Sequence, residues 1–181
     1  KAAEIARQCI VLLKNEAQVL PLSANEKIAL IGGFAEKPRY QGGGSSHINS
    51  HAVPCAVQLK DQYGNMTYAK GFTTDVDQYE EALEKEALEV AGQSDKIVVF
   101  AGLPDVFESE SYDREHMRLP NCQNQLIEKL TKLGKPVIVV LHNGSPVEMP
   151  WVDHVYGIVE AYLGGEAVAE AVMDILYGRA N

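Results

Sequence analysis

Lys96-Ile97-Val98-Val99-Phe100-Ala101-Gly102 runs apolar without a break from Ile97 to Ala101 and then stops at glycine. A strand with one wet face alternates apolar and polar residues, whereas a strand covered on both faces does not. The stretch therefore reads as a strand inside a doubly covered sheet. Lys27–Gly32 (KIALIG) and Pro136–Leu141 (PVIVVL) have the same character, and Gly157–Tyr162 (GIVEAY) reads as a fourth such strand. Helical patterns lie between them. Pro54 opens one over residues 54–63, which Gly64 stops. Residues 77–92 form another, with Glu80, Glu81, Glu84, Glu86 and Glu89 on an acidic face, followed by 121–133, stopped by Gly134, and 165–177. Ile5, Cys9, Leu12 and Leu13 recur at helical spacing, so residues 2–14 read as an amphipathic helix; Leu20-Pro21-Leu22 follows as an extended stretch, and Met66–Ala69 reads as a short strand. This alternation predicts an α/β fold, a three-layer sandwich with a largely parallel sheet and helices on both faces. The 181 residues suffice for one sizeable core and are few for two, so 1–181 is taken as a single domain. Ligands of such sheets gather beyond the carboxyl ends of the strands, where the long loops 34–51 and 103–119 emerge.

Composition excludes more than it selects. A net charge of −9 with no Lys/Arg cluster argues against nucleic acid, and no run is long and apolar enough to span a membrane. The chain starts at Lys1 without an initiator Met or a signal pattern, as an excised piece or processed product would. Cys9, Cys55 and Cys122 are odd in number and scattered, which suits neither a disulfide scaffold nor a metal site. Cys9 and Cys55 sit among apolar residues and read as buried free thiols, so a reducing, cytoplasmic location is the expectation. The five histidines, His47, His51, His116, His142 and His154, show no helical ligand spacing, and no metal is expected.

Two segments carry chemistry. Phe107-Glu108-Ser109-Glu110-Ser111-Tyr112-Asp113-Arg114 gathers carboxylates and one arginine in a loop after a buried strand. Clustered carboxylates favour the protonated form of one member, as a general acid at neutral pH requires. Arg114 could instead bind Asp113 and hold the loop in shape, and a merely solvated loop is the plain alternative. The second segment is Gly42-Gly43-Gly44-Ser45-Ser46, whose glycines allow close backbone approach to a ligand. It lacks the lysine of a phosphate loop and the spacing of a dinucleotide motif. Arg39, Tyr40 and Gln41 upstream offer a donor fork, an aromatic plate and an amide, which suit a sugar ring. Ser45 or Ser46 as a nucleophile would need a base and an orienting acid that sequence does not place. His142-Asn143-Gly144-Ser145-Pro146 reads as a turn at a strand end where ligand contact is open, and Trp151 as an anchor in a packed corner.

Taken together, AAEIARQCIVLLKNEAQVLPL, KIALIGGFAEKPRYQGGGSSHIN, GLPDVFESESYDREHMRLP, VVLHNGSPVEMPW and ILYGRAN resemble, in order and over nearly the whole chain, the C-terminal domain of family 3 glycoside hydrolases. The resemblance implies a preceding (β/α)-barrel, absent from this chain, that supplies an aspartate nucleophile and most of the sugar pocket. It places the acid/base carboxylate on Glu110, with Glu108 the nearest competitor and Asp113 and Arg114 as the loop's Asp-Arg pair. Arg39, Gln41, Gly43 and Ser45 are the expected substrate-binding residues. Where the family usually has glycine after the catalytic glutamate, this chain has Ser111. The implied partners are the barrel of the same polypeptide and a β-linked glycoside; no cofactor is implied, and an oligomer is compatible with the sequence. The expected activity is β-glucosidase-like, with this piece alone inactive. Two rival readings stand beside it: a non-catalytic carbohydrate-binding or interface module, and a flavodoxin-like nucleotide-binding domain.

Overall fold

The computed structural model describes residues 1–181, and its backbone follows the apolar runs closely. The elements in chain order are α1 (Ala2–Cys9), β1 (Val11–Asn15), β2 (Lys27–Ile31), α2 (Gly33–Glu36), α3 (Ala56–Leu59), β3 (Asn65–Ala69), α4 (Glu81–Gly92), β4 (Lys96–Gly102), α5 (Asn121–Thr131), β5 (Val137–His142), β6 (Gly157–Glu160) and α6 (Val168–Leu176). The strands form one sheet in the order β1-β6-β5-β4-β2-β3. All pairs are parallel except β1 with β6.

The connections explain the layers. From β2 the chain moves outward to β3, then crosses back over β2 to β4 and continues the other way to β5 and β6. Right-handed crossovers that move in opposite directions put their helices on opposite faces. The packing agrees: α4 lies against α5, while α3 packs on α6 and α6 on α1. Both faces of the central strands are thereby covered, and Ile97 to Ala101 and Val137 to Leu141 are buried almost completely. No helix is long and apolar enough to cross a membrane.

Four sequence expectations shift. The helix expected over residues 2–14 ends at Cys9; Ile10 is extended, and Val11–Asn15 becomes an edge strand paired antiparallel with β6. Leu12 and Leu13 fit helical spacing, but pairing with a sheet edge satisfies their backbone groups over a longer range. Cys9 is consequently exposed rather than buried, whereas Cys55 is buried as expected. The helix expected over 77–92 starts at Glu81, because Asp77 is used elsewhere: its carboxylate accepts from the backbone N–H of Asn121 at 2.8 Å and Cys122 at 2.9 Å, capping the start of α5. The helix expected over 54–63 divides into α3 and a 3₁₀ turn over Lys60–Gln62. Trp151 is fully buried, and its indole N–H donates to Asn124 Oδ1 at 2.9 Å, fixing the corner before β6.

Candidate active site

The chain runs in opposite directions from β2 and from β4, which lie side by side. The gap beyond their carboxyl ends is a topological switch point, the place in an open α/β sheet where the two departing loops diverge and leave a crevice. The loop after β2 carries Arg39 through His47. The loop after β4 carries Glu108 through Arg114. The 143–146 turn after β5 closes the third side.

Arg39 is the buried anchor of this crevice, with only 6% of its surface exposed. Its Nε donates to Asp105 Oδ1 at 2.9 Å, its Nη1 to Leu103 O at 2.9 Å and to the Glu108 carboxylate, and its Nη2 to Glu108 O at 2.7 Å. The guanidinium fork thus clamps the start of the loop by side chain and backbone together. Glu108 Oε2 also accepts from Gly144 N at 2.9 Å. Burial alone would raise the Glu108 carboxyl, but hydrogen bonds from Ser145, Gly144 and Arg39 and the arginine charge outweigh it and hold it below the usual range.

Glu110 stands differently. It is exposed, and its Oε2 accepts from Ser45 N at 2.6 Å. Hydrogen bonding from Ser45 holds its carboxyl below the ordinary range as well. Gly43 and Ser109 pair as an isolated parallel bridge, so the glycine-serine loop lies directly beside the acidic loop. Gly44, at φ +88°, leaves room for the carboxylate: a Cβ there would lie 2.5 Å from Glu110 Cβ and 2.7 Å from its Oε2. Together these loops border an open groove of about 440 Å³ that Arg39, Gly43, Glu108, Glu110 and Gly144 help to line.

The remaining sequence candidates divide. Gln41 does not line this groove but a separate one, with Tyr40 and His47, and its amide is engaged by its own loop: Nε2 donates to Tyr40 Oη and Ile48 O, and Oε1 accepts from Ile48 N at 3.0 Å. Arg114 does not take Asp113, which is exposed; its Nη1 donates to Ser145 Oγ and Pro146 O, both at 2.8 Å. This is a correction with a simple cause, since the turn after β5 offers two acceptors where Asp113 points to solvent. The expected mutual raising of clustered carboxylates is also absent. Glu108 turns inward to an arginine and Glu110 outward to an amide, so within this chain each ends below its ordinary value. Sequence reasoning marked the glycine segment that contains Gly44 but missed the Gly144 amide as a partner of Glu108, and Glu160. A charged residue inside the apolar run GIVEAY was the available signal for the last.

The fold and site thus define an α/β domain with a largely parallel sheet whose acid-bearing loop lies at the topological switch point. Comparison with known proteins makes this specific: residues 10–181 match the glycosyl hydrolase family 3 C-terminal domain, and the chain belongs to that family. It is 48% identical to thermostable beta-glucosidase B of Acetivibrio thermocellus over 99% of this chain and 24% of that protein. It is 38% identical to an exo-alpha-(1->6)-L-arabinopyranosidase of Bifidobacterium longum over 99% of this chain and 25% of that protein. The crystal structure of a Bifidobacterium adolescentis GH3 beta-glucosidase superposes with a TM-score of 0.93 at 40% identity, covering 98% of this chain and 26% of that one. The chain therefore spans about a quarter of the length of the relatives it matches.

Proposed function

We propose that this domain supplies Glu110 as the general acid/base of a retaining β-glycosidase, β-glucosidase-like in its preference, whose aspartate nucleophile and sugar pocket lie on a preceding barrel. The observation that carries the reading is the contrast between the two loop glutamates. Glu108 is held inward by Arg39 and Gly144, whereas Glu110 takes one backbone amide at the rim of an open groove. A proton donor must reach substrate, and only the second carboxyl is free to do so. The named relatives are glycosidases of differing sugar preference, which agrees with a sugar pocket outside this chain.

In the proposed cycle, protonated Glu110 donates its proton to the glycosidic oxygen while the nucleophile attacks the anomeric carbon. The leaving group departs and a glycosyl-enzyme forms. Ionised Glu110 then takes a proton from water, which releases the sugar with retained configuration. The two carboxyls of such a pair stand about 5–5.5 Å apart. Glu110 is held ionised in the domain alone, so the proton it needs is favoured only when a second carboxylate and a desolvating substrate close over it. The same logic makes the isolated domain inactive, and purified domain should leave nitrophenyl β-glucoside unhydrolysed.

The decisive experiment is Glu110→Ala in the intact enzyme. Hydrolysis of glycosides with poor leaving groups should fall by about 10²–10⁴-fold, since these need the proton in the transition state. Activated aryl glycosides should form the covalent intermediate almost normally, and azide should restore turnover by attacking it without base assistance. Glu108→Ala should show neither signature, only a modest loss through loop disorder or weaker sugar binding. Azide rescue of Glu108→Ala instead would move the acid/base two residues upstream. No leaving-group dependence in either variant would leave the loop as a carbohydrate-binding or interface element.

A further inference from the structure

Glu160 ends β6 and is buried, with only 6% of the residue exposed. It pairs across the sheet with Leu141, so it shares a face with Leu141 and Asn143 and stands opposite His142. Its Oε1 accepts from Tyr162 N at 3.0 Å and its Oε2 from Asn143 Nδ2 at 3.2 Å. The same Asn143 amide nitrogen donates to Ser145 O at 3.1 Å, which fixes the turn over 143–146. That turn in turn holds the acidic loop at two places: Gly144 N binds Glu108, and Ser145 Oγ and Pro146 O receive Arg114. Glu108 and Arg114 bracket Glu110 in the chain. A continuous path of hydrogen bonds therefore runs from a buried carboxyl to both sides of the loop, and neither Glu160 nor Asn143 lines the groove around Glu110.

We propose that Glu160 and Asn143 are positioning residues that hold the Glu110 loop in its working geometry through the 143–146 turn. The inference rests on the reading of Glu110 as acid/base. Its second element is charge. Burial pushes the Glu160 carboxyl up to about 7; hydrogen bonds from Tyr162 and Asn143 oppose this, and the Glu108 carboxylate adds to it. Glu108 is the charged group facing it from the acidic loop. From β1 the paired residue is Val11, followed by Leu12 and Leu13, while Lys14 is turned to Val152 O and Glu16. Arg39 is engaged with Glu108 and Asp105, and Arg114 with the turn. His142, across the sheet, is itself pushed down to about 4 by burial and is neutral near pH 7. Ionisation of Glu160 therefore sets a second negative charge, met only by the Tyr162 and Asn143 N–H groups, beneath the turn that anchors Glu108, and repulsion between the two carboxylates loosens the loop as pH rises.

The test uses the intact enzyme carrying E160A, N143A or E160Q, assayed beside Glu110→Ala on an alkyl β-glucoside and a dinitrophenyl β-glucoside. E160A and N143A should lower kcat on the alkyl glucoside by about 10–100-fold, the scale of a small misplacement of a catalytic group, with KM little changed and no azide rescue. E160Q cannot ionise and keeps one acceptor oxygen, so it holds one of the two N–H donors while its own amide nitrogen faces the other. It should recover part of the kcat that E160A loses at pH 6, and the alkaline limb of its pH profile should move to higher pH than in the parent. Parent-like kcat in both E160A and N143A overturns the proposal, as does an E160Q profile that superposes on the parent. If E160A does not fold, the E160Q profile decides alone. Azide rescue of Glu110→Ala with an unchanged E160Q profile would sink this inference and leave the acid/base reading standing. Loss of that rescue would remove the reading and this inference with it.

Discussion

Glu108 and Glu110 are two residues apart on one loop and belong to two different regions of the molecule. The first half of the loop is part of the fold: Glu108 is hydrogen-bonded to a buried arginine and to the amide of a neighbouring turn. The second half is a rim, where Glu110 is exposed and held by the Ser45 amide. The same residue type is a buried tie in one place and an exposed carboxylate at a groove rim in the other. The difference comes from partners supplied by other strands. Under the proposed function, rigidity is built up to the residue before the acid/base, which is itself left reachable.

Breaking the anchored half should have the largest effect on stability. Arg39→Ala leaves the Glu108 carboxylate half-buried without its cation and removes both ties to the backbone. Removing one partner of a buried pair costs about 3–5 kcal/mol, and the low end applies because Asp105 stays largely solvated. Urea unfolding of the domain should show this loss, and Arg39→Lys should recover only part of it, since a single ammonium cannot reproduce the fork. Parent-like stability in Arg39→Ala would mean that the inner half is no more structural than the rim.

A glycine beside the rim sharpens the contrast from the other side. Gly44→Ala places a methyl against Glu110 and forces an alanine into φ +88°, a left-handed conformation that costs roughly 1–2 kcal/mol. In the intact enzyme the displaced carboxylate should reduce kcat by about 10–100-fold. Gly134 is also left-handed, at φ +69°, with nothing near the added carbon. Gly134→Ala should pay a similar backbone cost with no change in kcat. Equal activity losses in the two variants would show that strain, rather than the place of Glu110, is being measured.

How much of this was legible in the sequence follows the same division. The central strands were legible because two-sided burial leaves uninterrupted apolar runs. β1 was not, because Val11, Leu12 and Leu13 fit two periods at once, and only pairing with the distant β6 decides between them. The density of carboxylates in 107–114 marked the loop, but residue type cannot distinguish Glu108 from Glu110. The resemblance favoured Glu110; the structure shows that the two carboxyls differ in partners and exposure. The clamp by Arg39 joins loops far apart in the chain, so no local pattern announces it. Gln41 was chosen for its amide, whose hydrogen bonds prove to lie within its own loop.

Titration offers a second contrast, since the carboxyl ends of β5 and β6 bury two shifted groups of opposite sense on opposite faces of the sheet. His142 is pushed from its ordinary 6.5 down to about 4 by burial. The unfolded chain then binds the proton that the fold refuses, so its contribution is lost as pH falls from 6.5 towards 4. Glu160 is raised from 4.5 to about 7, so the fold keeps a proton the unfolded chain has released, and its contribution is lost as pH rises from 4.5 to 7. Between 4.5 and 6.5 the two slopes oppose each other, and the parent's stability should vary little with pH from these groups. His142→Phe, which keeps the stack with Phe34 and Phe100, should expose a stability that falls with rising pH. Glu160→Gln should expose one that rises. Unfolding free energies measured across this window would refute the assignment if the two variants sloped the same way.

The smallest expected effect lies at the tip. Ser111 follows Glu110 with φ +69°, a left-handed backbone in which a side chain is strained and glycine is not. The serine therefore keeps the turn that a glycine would make, at a backbone cost of about 1–2 kcal/mol. Ser111→Gly removes that cost but also frees the unfolded chain, which returns about 0.5–1 kcal/mol. The net gain should be about 1 kcal/mol or less by urea unfolding. Because the backbone already sits where glycine would put it, the carboxylate of Glu110 should not be re-aimed, and kcat on poor leaving groups should not fall. A clear drop would mean that the Ser111 side chain itself contributes at the rim. The open half of the loop would then hold a second working group, and its difference from the anchored half would be one of chemistry as well as exposure.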